Sequence, residues 1–290
     1  MTRFLDVRAS TTGGNLASEV GINQGTNINN YQSVDLAQLA TDIRGKHVLV
    51  GIHGYNVSRA DGILHLSNWE GLLKLPDPSI FIGLLWPGDS VWAHGLDYPD
   101  EPKIANEAGE MIGPFLDANF TTAASISLAS HSLGARVLLE TISNMKLKVR
   151  RVVIMAGAID DDCLNTEFKD AVTNVGQISA LASKEDDVLE FLFPLGNLLG
   201  GILAEGHPWW HSALGRFGPA SPQPANFTAP FLIPDNWDYG HGNYLQVDPL
   251  PAPVIPMPTI VPANGTPRPA GGATGWQETY SAAFCSTRFE

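Results

Sequence analysis

The stretch Ser125-Ile126-Ser127-Leu128-Ala129-Ser130-His131-Ser132-Leu133-Gly134-Ala135-Arg136-Val137-Leu138-Leu139 joins two hydrophobic periodicities at one corner. Alternating apolar residues predict a strand up to Ala129, and an amphipathic helix begins directly after Gly134. The pentad Ser130-His131-Ser132-Leu133-Gly134 leaves no length for a loop between them. The chain must therefore turn sharply, and the serine at the apex, Ser132, has its hydroxyl held clear of the backbone. Small residues two places before (Ser130) and two after (Gly134) let neighbouring backbone approach closely. A serine on such a strand-to-helix corner is a candidate nucleophile. A Ser-x-Gly triplet alone recurs by chance; the strand before it and the helix after it give the motif its weight.

The same alternation extends on both sides. Ser33 is placed to cap a helical pattern over Val34–Ala40 that stops near Gly45. His47–Ile52 is a continuous apolar run, as expected of a parallel strand buried on both faces. Ile63–Leu75 reads as a helix, Ile80–Trp86 as a strand and Ile104–Phe115 as a helix. After the corner come a strand at Arg151–Ala156, a helix around Asn165–Val172 and a strand at Gly176–Ala182. Strands separated by helices predict an α/β fold with a mostly parallel sheet covered on both faces. Arg3–Arg8 reads as a single edge strand. Two segments depart from the rhythm. Residues 191–234 are apolar and rich in Gly, Pro and Trp, and read as a cap-like insertion whose Leu198, Leu199, Trp209 and Trp210 would line a substrate pocket. Pro249–Gly275 is dense in proline and glycine and should be extended, without a core of its own. The expected organisation is a catalytic domain over residues 1–248 and a C-terminal tail over 249–290.

Composition narrows the function class. The chain has 290 residues with 44% hydrophobic and 16% charged content, which suits a globular protein and excludes a disordered one. Acidic residues outnumber basic ones, 30 to 17, for a net charge of -13, which argues against a nucleic-acid partner. No apolar run is long enough to span a bilayer. Asp6 and Arg8 interrupt any apolar signal core at the N-terminus, which favours a cytoplasmic location. Cys163 and Cys285 can build neither a disulfide framework nor a four-cysteine zinc site, and read as buried or free thiols. The triplets at Asn119, Asn226 and Asn264 match the glycosylation pattern and are taken as chance.

A serine hydroxyl needs a base to take its proton and an acid to orient that base. Asp186, in Ser183-Lys184-Glu185-Asp186-Asp187-Val188-Leu189, directly follows a buried strand and so lies on the rim where ligands bind in open α/β sheets. Asp187 and Asp160 compete with it, the latter from the run after the preceding strand. Of the later histidines, His207 and His211 flank Pro208-Trp209-Trp210 inside the apolar insertion, and their spacing lacks a third ligand for a metal. His241 lies between two glycines in Asp238-Tyr239-Gly240-His241-Gly242-Asn243-Tyr244 and is the preferred base. Oxyanion donors are expected from the N–H of Leu133, at the helix start, and of Tyr55, in the loop His53-Gly54-Tyr55-Asn56.

Together, Gly51-Ile52-His53-Gly54-Tyr55-Asn56, Ser130-His131-Ser132-Leu133-Gly134, Ser183-Lys184-Glu185-Asp186 and Gly240-His241 resemble the α/β-hydrolase superfamily, in particular its lipase- and esterase-like members with a His-Gly-Tyr/Phe-Asn loop. The resemblance runs from about His47 to Leu245. It implies an eight-stranded, mostly parallel sheet and a Ser132–Asp186–His241 triad that cleaves a small carboxylic ester through an acyl-enzyme, with neither cofactor nor metal. One departure is Ser130, where the usual first glycine of the elbow stands, and slight strain is expected there. Acyl transfer or thioester hydrolysis by the same triad is the chemical alternative. A non-catalytic binding module on this fold is the alternative of another class, and the presence of all three triad residue types argues against it.

Overall fold

A computed structural model describes residues 1–10, 15–89, 101–190, 212–228, 231–237, 239–245, 259–260, 268–269 and 276–289. Its main sheet is built from β1 (Thr2–Arg8), β2 (Leu16–Gly25), β3 (Gln32–Ser33), β4 (His47–Ile52), β5 (Ser79–Leu85), β6 (Ser125–His131), β7 (Val149–Met155), β8 (Val175–Ala182) and β9 (Phe231–Leu232). Among the described residues the sheet has nine strands, in the order β3-β2-β1-β5-β4-β6-β7-β8-β9. From β1 to β9 every pairing is parallel; β2 and β3 add antiparallel. The mostly parallel α/β-hydrolase architecture expected from the sequence is thus present, with short two-residue strands at both edges.

Connections run through α1 (Leu36–Ile43), α2 (Arg59–Leu72), α3 (Glu101–Asn119), α4 (Gly134–Ser143), α5 (Lys169–Thr173), α6 (Leu214–Phe217) and α7 (Trp276–Arg288). Helix α2 packs with α7, and α3 with α4, forming the two helical layers over the sheet. Strands β4, β6 and β7 supply the centre of the core. Val50, Ile52, Leu128, Ala129, Val153 and Ile154 are all fully buried, as strands sandwiched between helices require.

Three expectations need correction. Strand β1 is not at the edge: it lies between β2 and β5, with Phe4, Leu5 and Val7 fully buried. Its charged side chains are satisfied inside. Asp6 Oδ2 accepts from Tyr31 Oη at 2.8 Å and pairs with Arg59 Nε at 3.0 Å. Ser33 does not cap α1; it belongs to β3, and Asp35 caps the helix by accepting from the Gln38 N–H at 2.7 Å. The third concerns the C-terminal stretch. Beyond its proline- and glycine-rich part it ends in α7, whose Ala282, Phe284 and Cys285 are buried against the domain, followed by buried Phe289. Ser286 Oγ accepts from the Lys74 N–H at 2.9 Å, tying α7 to the end of α2. Both cysteines are free and buried. Among the described residues no helix is long and apolar enough to cross a membrane.

Candidate functional site

The corner between β6 and α4 forces Ser132 into the left-handed region, at φ 55°. A non-glycine residue there costs about 1 kcal/mol or more and persists only where its surroundings over-determine it. They do so here. The Ser132 N–H donates to Met155 O at 3.0 Å, and its carbonyl accepts from the Ala135 N–H at 3.0 Å and the Ala158 N–H at 3.1 Å. Strand β7, helix α4 and the loop after β7 therefore all hold the same residue. The packing around it tolerates no side chain: a Cβ on Gly134 would lie 2.4 Å from His53 O, and one on Gly54 2.8 Å from Ser132 Cβ. Ser130, by contrast, keeps strand geometry, in register with Ile52 and Ile154. The strain expected there falls on Ser132 instead. Ser130 is fully buried and its Oγ finds no partner among the described residues, a cost of about 1–3 kcal/mol for an unsatisfied hydroxyl.

Asp186, four residues past the end of β8, is fully buried. Its Oδ1 accepts from the Leu189 N–H at 3.0 Å, and its Oδ2 lies 2.8 Å from His241 Nδ1. His241 opens a 3-10 turn, His241–Asn243, and its Nε2 is 2.7 Å from Ser132 Oγ. A carboxylate accepts, so Nδ1 carries the hydrogen and Nε2 turns its lone pair to the serine hydroxyl. Ser132 is 6% exposed and the His241 side chain 14%, so the chain of hydrogen bonds runs from a buried acid to a nearly covered hydroxyl. The competing acids stand elsewhere: Asp187 is exposed, and the backbone of Asp160 bridges to Ala213.

The loop after β4 lies beside this corner. His53 is buried, with Nδ1 2.8 Å from Gly54 O and Nε2 3.3 Å from the Trp86 N–H that it accepts. Burial pushes its pKa down to about 3, so it is a neutral structural imidazole. Trp86 Nε1 donates to His53 O at 2.9 Å, and the Asn56 N–H donates to Gly88 O at 2.6 Å. From the far side, the buried Arg8 guanidinium donates to Val57 O at 3.1 Å and Trp86 O at 2.9 Å, and pairs with Asp89. Tyr55, half-buried, rides on this clamped loop, and Leu133 is the N-cap of α4 with no side-chain cap of its own. The residues that fix the loop, Arg8 and Trp86, escape a sequence reading. Their partners are backbone carbonyls, a histidine and a carboxylate 33 to 81 positions away, which no local pattern signals.

Leu198, Leu199, Trp209 and Trp210, read as pocket residues, lie outside the described residues, as do His207 and His211. Among the described residues no group of three or more His, Cys, Asp or Glu side chains is placed to hold a metal ion.

Residues 31–201, more than half of the chain, match the family described as "Alpha/beta hydrolase of unknown function (DUF900)". The chain belongs to this family. The DUF900 match takes in the loop after β4, the Ser132 corner and Asp186, while His241 and Arg8 fall outside it. No curated protein matches the sequence. Among solved structures, the chain is similar to esterase PE8, at 15% identity over 68% of this chain and 86% of that one, with a TM-score of 0.39. It is also similar to an esterase of Pyrobaculum calidifontis, at 12% identity over 61% of this chain and 69% of that one, with a TM-score of 0.32. Phospholipase PlaB from Legionella pneumophila follows at 11% identity and a TM-score of 0.31; the match covers 49% of this chain and spans only 40% of the phospholipase. At such scores the likeness carries no argument about substrate.

Proposed function

We propose that this DUF900 hydrolase cleaves carboxylic esters through an acyl-enzyme on Ser132. The observation that carries the reading is the unbroken relay from Asp186 through His241 to Ser132, at 2.8 and 2.7 Å. His241 Nε2 takes the hydroxyl proton as Ser132 Oγ attacks the ester carbonyl, and Asp186 stabilises the imidazolium that forms. The carbonyl oxygen gains negative charge, which the N–H groups of Leu133 and Tyr55 receive; each such donor is worth about 10²–10³ in rate. The proton on His241 then passes to the leaving alcohol. Water, activated by the same histidine, releases the acid and restores Ser132.

The test is turnover of p-nitrophenyl esters of increasing acyl length, beside Ser132→Ala. Wild type should hydrolyse one or more of the series and be labelled by a fluorophosphonate probe. Ser132→Ala should lose both, with turnover down by roughly 10⁴-fold or more. Equal labelling of the two proteins, or labelling of neither, sinks the assignment.

A further inference from the structure

The elbow motif leaves the residue between Ser130 and Ser132 unspecified, and here it is His131. Its Nε2 lies 3.0 Å from the backbone carbonyl of His241. A carbonyl only accepts, so Nε2 carries the hydrogen and donates it. The ring packs 4.9 Å from the His241 ring and 5.5 Å from that of Tyr244. On its other side, a Cβ added to Gly54 would lie 3.2 Å from His131 Nδ1. His131 therefore sits between the loop carrying the base and the loop after β4, one residue from the nucleophile. Burial, seconded by the neighbouring His241, pushes its pKa well below the usual imidazole value and keeps it uncharged beside a base that must itself become positive.

Other contacts of the histidine loop fix its shape. The Gly240 N–H donates to Asn243 Oδ1 at 2.6 Å, and the Asn243 N–H donates to Gly240 O at 3.1 Å. The rings of buried Tyr239 and Tyr244 meet edge to face at 4.8 Å. These bonds close the turn on itself, and the bond from His131 joins it to the elbow. We propose that His131 is a positioning residue: its Nε2–H holds the main chain of His241 at the height from which the imidazole reaches Ser132 and Asp186 together. The inference rests on the esterase reading for its kinetic consequence and on geometry alone for its structural one.

Three variants separate this role from simple space-filling. In His131→Gln the amide nitrogen is as many bonds from Cβ as the histidine Nε2, so the donor is kept. In His131→Asn it is one bond too short, and in His131→Phe the ring stays but the donor is gone. With p-nitrophenyl acetate, Asn and Phe should lower kcat by on the order of 10–100-fold with KM within about twofold, and Gln should recover most of the loss. Crystal structures of the Asn and Gln variants supply the readout that does not depend on activity. His241 Nε2 should move out of hydrogen-bond reach of Ser132 Oγ in Asn and stay within it in Gln. Wild-type kcat in the Asn or Phe variant, a Gln variant as slow as Asn, or an undisturbed His241–Ser132 bond in the Asn structure each overturns the inference. If wild type turns over no ester, the esterase reading fails, and the crystal structures still decide whether His131 places His241.

Discussion

The elbow and the histidine loop face each other across a 2.7 Å hydrogen bond and are built in opposite ways. The elbow is held by the sheet: Ser132 takes its height from the β6–β7 register and its strained backbone from bonds to Met155, Ala135 and Ala158. The histidine loop follows the two-residue β9 and one short 3-10 turn, and among the described residues no ladder runs through the loop. Its place depends on side chains, namely Asp186, His131 and two buried tyrosines. A side chain fixed by a ladder tolerates loss of any one neighbour, whereas one fixed by a few side-chain bonds moves when any of them is cut. Changes to the backbone packing of the elbow should therefore appear as stability, and changes to the side chains that hold the loop as rate.

Beyond Ser132 itself, the largest expected effect tests the loop side. Asp186→Asn removes the carboxylate that sets the His241 tautomer, and kcat on p-nitrophenyl acetate should fall by roughly 10³–10⁴-fold with little change in the melting temperature. Asp187→Asn, at an exposed position, should stay within twofold of wild type. Equal losses in the two variants would remove Asp186 from its role. Next comes the elbow. Gly134→Ala places a methyl 2.4 Å from a backbone oxygen that cannot rotate away, so urea unfolding should show a loss of about 3 kcal/mol or a failure to fold. A Gly134→Ala protein of wild-type stability would show that the elbow is as yielding as the loop.

The last effect concerns pH. His53 is neutral in the folded protein, with a pKa of about 3, and titrates near 6.5 when unfolded. Between those values the unfolded chain binds the extra proton, so the stability that depends on neutral His53 is complete above about pH 6.5 and is lost as pH falls toward 3. The slope is at most about 1.4 kcal/mol per pH unit. In urea titrations the advantage of wild type over His53→Gln should shrink from pH 7 to pH 4. An advantage that holds or grows would mean that the imidazole is not buried neutral.

Much of the site is legible because it repeats local patterns. The parallel strands announce themselves as apolar runs, Ser132 by the strand-to-helix corner, and Asp186 by its place after β8. The reading falters where charge hides burial. Asp6 and Arg8 stand in an inner strand, β1, because their partners Tyr31, Arg59 and Asp89 are brought to them only by the fold. Helix α7 was obscured by the proline- and glycine-rich stretch before it, although Phe284, Cys285 and Phe289 complete the core.

Sequence by itself determined the α/β alternation, the strand-to-helix corner at Ser132 and the short list of candidate acids and bases, since each follows from periodicity or spacing within about a dozen residues. Tertiary structure decided which acid of three meets His241, where β1 and α7 belong, and that the unremarked His131 touches the base. Those outcomes depend on hydrogen bonds between residues 25 to 212 positions apart, whose geometry exists only once the sheet has set the distances.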